Sequence, residues 1–170
     1  MKQRAKVSTI WRWEHYRGGV LIDTWQDENV VTNEGLDYLL NAAFKGSTAI
    51  SSWYFATYEN DYTPNGGETY AVPGFTECVA IDETTRPACS LGSVLNQSVD
   101  NSANKATFTF NASKTIYGGV LMGGGTAPDT IGDTLGGGKV YCVARFSSGS
   151  KLVADDEVLK VIMELRAQDV

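Results

Sequence analysis

Only one stretch of this chain repeats its apolar residues with the period of a helix, and the segments on both sides of it read as strand or turn. Between positions 30 and 46, Leu36, Leu39, Leu40, Ala43 and Phe44 fall at i, i+3, i+4, i+7 and i+8, which gathers them on one face. Thr32 or Asn33 can accept hydrogen bonds from the first free amides, Glu34 places a negative charge at the positive end of the dipole, and Gly46 can close the helix in the left-handed region. The spacing predicts one short helix over about residues 33–45. Its apolar face (Leu36, Leu39, Leu40 and Phe44) is expected to be core, packed under a sheet or plugging one end of a sandwich.

The remaining segments are β in character. Val7, Thr9, Trp11 and Trp13 alternate with Ser8, Ile10, Arg12 and Glu14, so residues 5–16 read as a strand. Arg17-Gly18-Gly19 is a hairpin signal, and residues 20–25 return as its partner, ended by the acidic run at 27–29. Residues 52–58 form an aromatic strand whose buried face is either Trp53, Phe55 and Thr57 or Tyr54, Ala56 and Tyr58. Short strands are expected at 70–72 and 76–81, and a loop or ragged edge at 90–104. Ala106, Phe108 and Phe110 alternate strictly with threonine and asparagine, which predicts a half-buried strand with both phenylalanines in the core. Residues 115–122 follow as its hairpin partner, with Gly118-Gly119 marking a bulge or close backbone approach. Strands at 139–146 and 155–166 complete about eight, spaced as in an antiparallel β-sandwich or jelly roll. A Gly-rich loop at 123–138 is expected to be exposed and mobile.

A length of 170 residues with 42% hydrophobic and 20% charged residues suits one globular domain over 1–170. The formal net charge of -6 disfavours binding to nucleic acid, whose phosphates would be repelled. No apolar run approaches the roughly 20 residues of a membrane-spanning helix, and no signal-peptide core is present, so cytosolic synthesis without membrane attachment is expected. Charge is unevenly placed: Lys2, Arg4, Lys6, Arg12 and Arg17 crowd the first seventeen positions, giving a basic N-terminal arm over 1–6 on an acidic body.

No pattern announces catalysis, a metal or a cofactor. His15 is the only histidine and lies between Glu14 and Tyr16 in a strand, where it reads as a surface or interface residue. Cys78, Cys89 and Cys142 lack CxxC spacing and read as free buried thiols. Gly136-Gly137-Gly138-Lys139 lacks the following Ser or Thr and precedes a strand where a phosphate loop requires a helix. Carboxylates are plentiful but no pair is singled out for glycoside hydrolysis. What the composition favours is a binding surface, because aromatic residues and arginine are enriched at protein interfaces. The candidates are Trp11, Trp13, Tyr16, Arg17 and Trp25 on the first hairpin, Lys2, Arg4 and Lys6 on the arm, and Arg86 beside Asp82 and Glu83.

Five segments in order resemble a family of small virion proteins of tailed bacteriophages, of the capsid decoration or cement type: residues 33–40 (beginning Asn-Glu-Gly-Leu), Ser52-Trp53-Tyr54, residues 83–88, residues 104–119 (from Asn104-Lys105-Ala106 to Tyr117-Gly118-Gly119) and residues 144–147. The resemblance implies a β-sandwich or jelly-roll body, self-association as a trimer or dimer, binding to the major capsid protein, and a place on the outer surface of the virion without enzymatic activity. The Gly-rich insertion, the three cysteines and the aromatic basic N-terminus depart from the family pattern. A different reading of the same β body is a tail or fibre module that binds carbohydrate or a receptor.

Overall fold

The computed structural model describes residues 5–169. Its elements follow in the order β1 (Ala5–Arg17), β2 (Val20–Val31), α1 (Asn33–Phe44), β3 (Trp53–Tyr58), β4 (Ser98–Asp100), β5 (Ala106–Thr109), β6 (Lys114–Ile116), β7 (Gly118–Gly123), β8 (Lys139–Arg145), β9 (Lys151–Val153) and β10 (Val158–Asp169). The architecture is mainly β and antiparallel, as expected. One curled sheet runs β3-β7-β8-β2-β1-β10-β4, with β5 also pairing β10, and β6 with β9 form a separate ribbon.

The strand β2 makes the curl. It pairs β1 from Val20 to Glu28, then continues through the acidic run and pairs β8 at Asn29, Val30 and Val31. One strand thus belongs to both layers of a sandwich-like body. Asp27 does not end it, because its carboxylate turns inward and accepts from the amide and hydroxyl of Ser147. On β1 the inward residues are Thr9, Trp11, Trp13 and His15, alternating with half-exposed Ile10, Arg12, Glu14 and Tyr16, which is the period-2 pattern of a strand with one covered face. Across β10 this face continues as Leu159, Val161 and Met163, and Phe108 and Phe110 lie fully buried beside it.

The opposing layer approaches closely. Trp11 meets Phe55 edge-on at 5.3 Å and Trp13 meets Phe146 at 5.2 Å. A Cβ on Gly119 would lie 2.7 Å from the Trp13 ring, and one on Gly118 would collide with the Ala144 carbonyl and Tyr58. Gly119 is therefore the floor on which the tryptophans rest, while Gly118 makes room for Tyr58 and the Ala144 carbonyl. Both faces of β3 are covered, since Phe55, Ala56, Thr57 and Tyr58 are all buried, so neither alternating half of that strand is the solvent side.

Three expectations are corrected here. Residues 106–109 pair with β10, not with the following strand, and β7 lies between β3 and β8. Residues 70–72 and 76–81 form no strands; only isolated bridges at Glu77 and Ile81 remain. The largest correction concerns α1. Its extent matches the spacing, but Leu36, Leu40 and Phe44 are 40%, 57% and 81% exposed, and only Leu39 of that face packs partly against the core.

The helix is held by its first turn. Thr32 is buried, donates its hydroxyl to the Val140 carbonyl, accepts from the Gly35 amide at 2.9 Å, and pairs through its own amide with Tyr141 O at 3.0 Å. Glu34 accepts from the amides of Val140 at 2.8 Å and Tyr70 at 3.0 Å. Gly35 sits so near β8 that a Cβ there would stand 2.4 Å from the Tyr141 carbonyl oxygen. The Thr-Asn-Glu-Gly start thus docks the helix end-on to a strand by polar contacts, leaving its apolar stripe outside.

Candidate functional site

The aromatic residues expected at a binding surface are mostly interior. Trp11 and Trp13 are fully buried and stack on one another at 5.7 Å, while half-buried Trp25 stacks on Trp13 at 6.2 Å and carries the Lys151 ammonium over its other side at 4.5 Å. They are core because their strand faces inward at odd positions, a choice that alternation alone leaves open. Tyr16 is half-buried, donates to Glu14 at 2.8 Å and lies under Lys160. Lys6 is exposed; Lys2 and Arg4 lie outside the described residues.

Arg86 is also corrected, from surface ligand to buried hub. Its Nε and Nη2 donate to the two Glu77 carboxylate oxygens at 2.9 and 2.6 Å, its Nη1 to Tyr70 OH and Pro128 O at 2.9 Å each, and Nη2 again to Asp133 O at 2.9 Å. All five N–H bonds of the guanidinium are spent, so nothing is left for an external partner. Glu77, not the neighbouring Asp82-Glu83 pair, is its counter-ion. The same hub fastens the Gly-rich loop: the Arg86 amide donates to Asp129 O at 2.7 Å, Gly132 N to Glu77, and Asp133 accepts from Tyr70, Leu135 and Gly136. A loop expected to be mobile is instead stitched to the body.

His15 is similarly occupied. It is buried, with Nε2 at 2.7 Å from Glu157 Oε2, and Arg17 and the Ala154 amide bond the same carboxylate. Burial pushes the Glu157 carboxyl up, but the Ala154 amide, Arg17 and His15 outweigh it and hold it down at about 2. This is a structural anchor for the start of β10. Burial likewise raises the free thiols of Cys78, Cys89 and Cys142, to about 11, 12 and 12, which keeps them in the protonated, unreactive form. Among the described residues no cluster of three or more His, Cys, Asp or Glu side chains is placed to hold a metal ion, and no helix is long and apolar enough to cross a membrane.

Most of the surface features left are apolar. The stripe Leu36, Leu40 and Phe44 forms one. Beside it, a shallow groove of about 290 Å³ runs between Val7, Leu39, Val94, Val99, Tyr141 and Leu165. Val20, Leu21 and Ile22 are exposed together at the tip of the first hairpin, next to exposed Arg17. The sequence held a signal for the tip: three consecutive apolar residues after Gly-Gly, without the alternation that one buried face would impose. On the other flank of α1 lies an open polar cleft of about 690 Å³ lined by Asn33, Asp37, Tyr38, Asn41, Thr48 and Lys139.

No protein-family model matches this chain, and no curated protein matches it.

Proposed function

We propose that this chain is a structural protein of a tailed-bacteriophage virion, a decoration or cement protein that binds the shell of major capsid protein from outside. The observation that carries the reading is the uncovered stripe Leu36, Leu40 and Phe44 on a helix whose base is fixed to a rigid β body. Exposed apolar clusters on such bodies mark protein contacts. The placement of the resembling segments supports it too, since Asn33-Glu34-Gly35 supplies the docking turn and Gly118-Gly119 the floor of the core. Many copies of a modest contact around a shell give large summed avidity. The acidic body limits adhesion to DNA.

Co-sedimentation of the protein with empty heads of the cognate phage tests the reading. The native chain is expected in the head pellet, and a Leu40→Asp/Phe44→Asp variant with an unchanged circular dichroism spectrum is expected in the supernatant. A native chain that stays in the supernatant overturns the proposal. Truncation of residues 1–4 in the same assay reads the contribution of Lys2 and Arg4. The carbohydrate-binding alternative requires aromatic rings presented over a groove. Trp11 and Trp13 lie in the core, and Tyr38, the aromatic ring lining the polar cleft, packs edge-on against Trp53.

A further inference from the structure

The loop at 59–68 closes around one buried carboxylate. Glu68 is 2% exposed, and its oxygens accept from the Tyr62 hydroxyl at 2.7 Å, the Asn65 amide at 2.7 Å and the Gly66 amide at 2.9 Å. Three donors, none of them a cation, satisfy a charge that is otherwise costly to bury. Burial and the carboxylate push the Tyr62 hydroxyl up to about 12, so it stays a donor at neutral pH.

The dipeptide pinned in this way, Asn65-Gly66, carries a latent reaction. A peptide nitrogen that follows asparagine can attack the side-chain carbonyl once it has lost its proton, and glycine, lacking a Cβ, hinders the approach least. Asn65 is exposed, and its Oδ1 accepts from the Gly67 amide at 2.8 Å, a bond that polarises the carbonyl under attack. The attacking nitrogen is the one that Glu68 holds, in a residue that is itself buried. The Gly66 carbonyl accepts from the amide of Asn33, the first residue of α1, at 2.8 Å. The reactive pair thus lies against the docked end of the helix.

We propose that Asn65 is a self-modification site and that Glu68 is the positioning residue that gates it. With the clasp open, the Gly66 nitrogen gives its proton to hydroxide and bonds to Asn65 Cγ. The bond from Cγ to the side-chain nitrogen breaks, and that nitrogen leaves as ammonia with a proton from water. Water then opens the resulting succinimide ring at either carbonyl, leaving aspartate or isoaspartate at position 65. Both products place a new negative charge beside Glu68, where like charges repel. In isoaspartate the main chain also gains a methylene, which shifts the Gly66 carbonyl from the Asn33 amide and loosens the base of α1. With the clasp closed, none of these steps begins. The inference does not rest on the virion reading, since its readout is the mass of the free protein.

Peptide mapping by mass spectrometry during incubation at mildly alkaline pH tests it, on the native chain, on Glu68→Gln and on a free peptide of residues 59–70. The native chain is expected to react at Asn65 about tenfold or more slower than the peptide, the worth of one hydrogen bond to a charged acceptor. Glutamine offers one acceptor oxygen to three donors. Glu68→Gln is therefore expected to recover most of the peptide's rate at Asn65, with circular dichroism and the other asparagines unchanged. If that variant does not fold, the native chain in dilute urea takes its place, where the Asn65 reaction and hydrogen exchange of the Gly66 amide are expected to rise in proportion. A native chain that reacts as fast as the peptide, a folded Glu68→Gln chain no faster than the native one, or an Asn65 rate that rises while the Gly66 amide stays protected would each overturn the assignment. An isoaspartate-bearing fraction that melts like the unmodified protein would overturn the link to α1.

Discussion

The strand β1 and the helix α1 both carry large apolar side chains at the period proper to their element, yet Trp11 and Trp13 are sealed in the interior while Leu40 and Phe44 stand in solvent. Periodicity identifies a face in each case, but what covers that face differs. The tryptophans lie over glycines: β7 comes near enough that Gly119 has no room for a Cβ, and Phe55 and Phe146 close the sides. The helix is bonded to the body at its first turn, through Thr32, Glu34 and Gly35, and beyond that turn rests on it through Tyr38 and Leu39, so Leu36, Leu40 and Phe44 are left in solvent. An apolar stripe is buried by the geometry of its attachment, and attachment here is polar and local.

The contrast can be broken or sharpened by experiment. Trp13→Ala removes the largest piece of the core and is expected to cost about 3–5 kcal/mol of unfolding free energy by denaturant titration; a loss below about 1 kcal/mol would mean the two layers can collapse onto the vacated space. Gly35→Ala probes the attachment itself. Alanine gains up to about 1 kcal/mol in helix propensity, but its Cβ would meet a backbone carbonyl that cannot swing away, so a net destabilisation of about 1–3 kcal/mol is expected. A stabilised variant would show that α1 can slide from β8.

Acid acts on β10, the partner of the tryptophan strand. Glu164 is held down at about 2 by Arg166, Ser98 and Arg12 against the opposing effect of burial, and Glu157 is held equally low. Carboxyls with an ordinary value of 4.5 bind protons in the unfolded chain before they do so in the folded one. Their stabilisation is therefore complete above about pH 4.5 and is lost as pH falls towards 2. Denaturation midpoints measured across that window are expected to fall, and Glu157→Gln is expected to flatten the slope. Smallest of all, Leu40→Ala is expected to change stability by no more than about 0.5 kcal/mol, as exposed positions do. A loss of 2 kcal/mol or more would put that side chain under cover after all.

Local signals in the sequence fared best where local chemistry decides the outcome. The Arg17-Gly18-Gly19 turn, the bounds of α1, the alternation of Phe108 and Phe110 and the close approach at Gly118-Gly119 all follow from residue type and spacing. The partners of those elements did not. Nothing near Phe108 says that its strand pairs with β10 some fifty residues on, across a register fixed only when the sheet assembles. Arg86 was visible as a cation beside an acidic pair, yet its counter-ion is Glu77 and its other acceptors are Tyr70 and the loop at 128–133, brought there by topology. The tip at Val20–Ile22 was legible as a strand, but its solitude was not, because β2 leaves for the second layer only after Glu28.

The register of β1 with β10 also sets how the molecule bears load. Ala5 faces Asp169 and Tyr16 faces Val158, so residues 5 and 169 lie side by side at one end of a long antiparallel ladder. Tension applied between them peels the ladder open one rung at a time, the arrangement of least mechanical resistance. Tension applied between the Gly18-Gly19 tip and the 169 end runs along the strands and loads many rungs at once in shear. A body of this kind is strong when gripped between its hairpin tip and residue 169, and weak when gripped between residues 5 and 169.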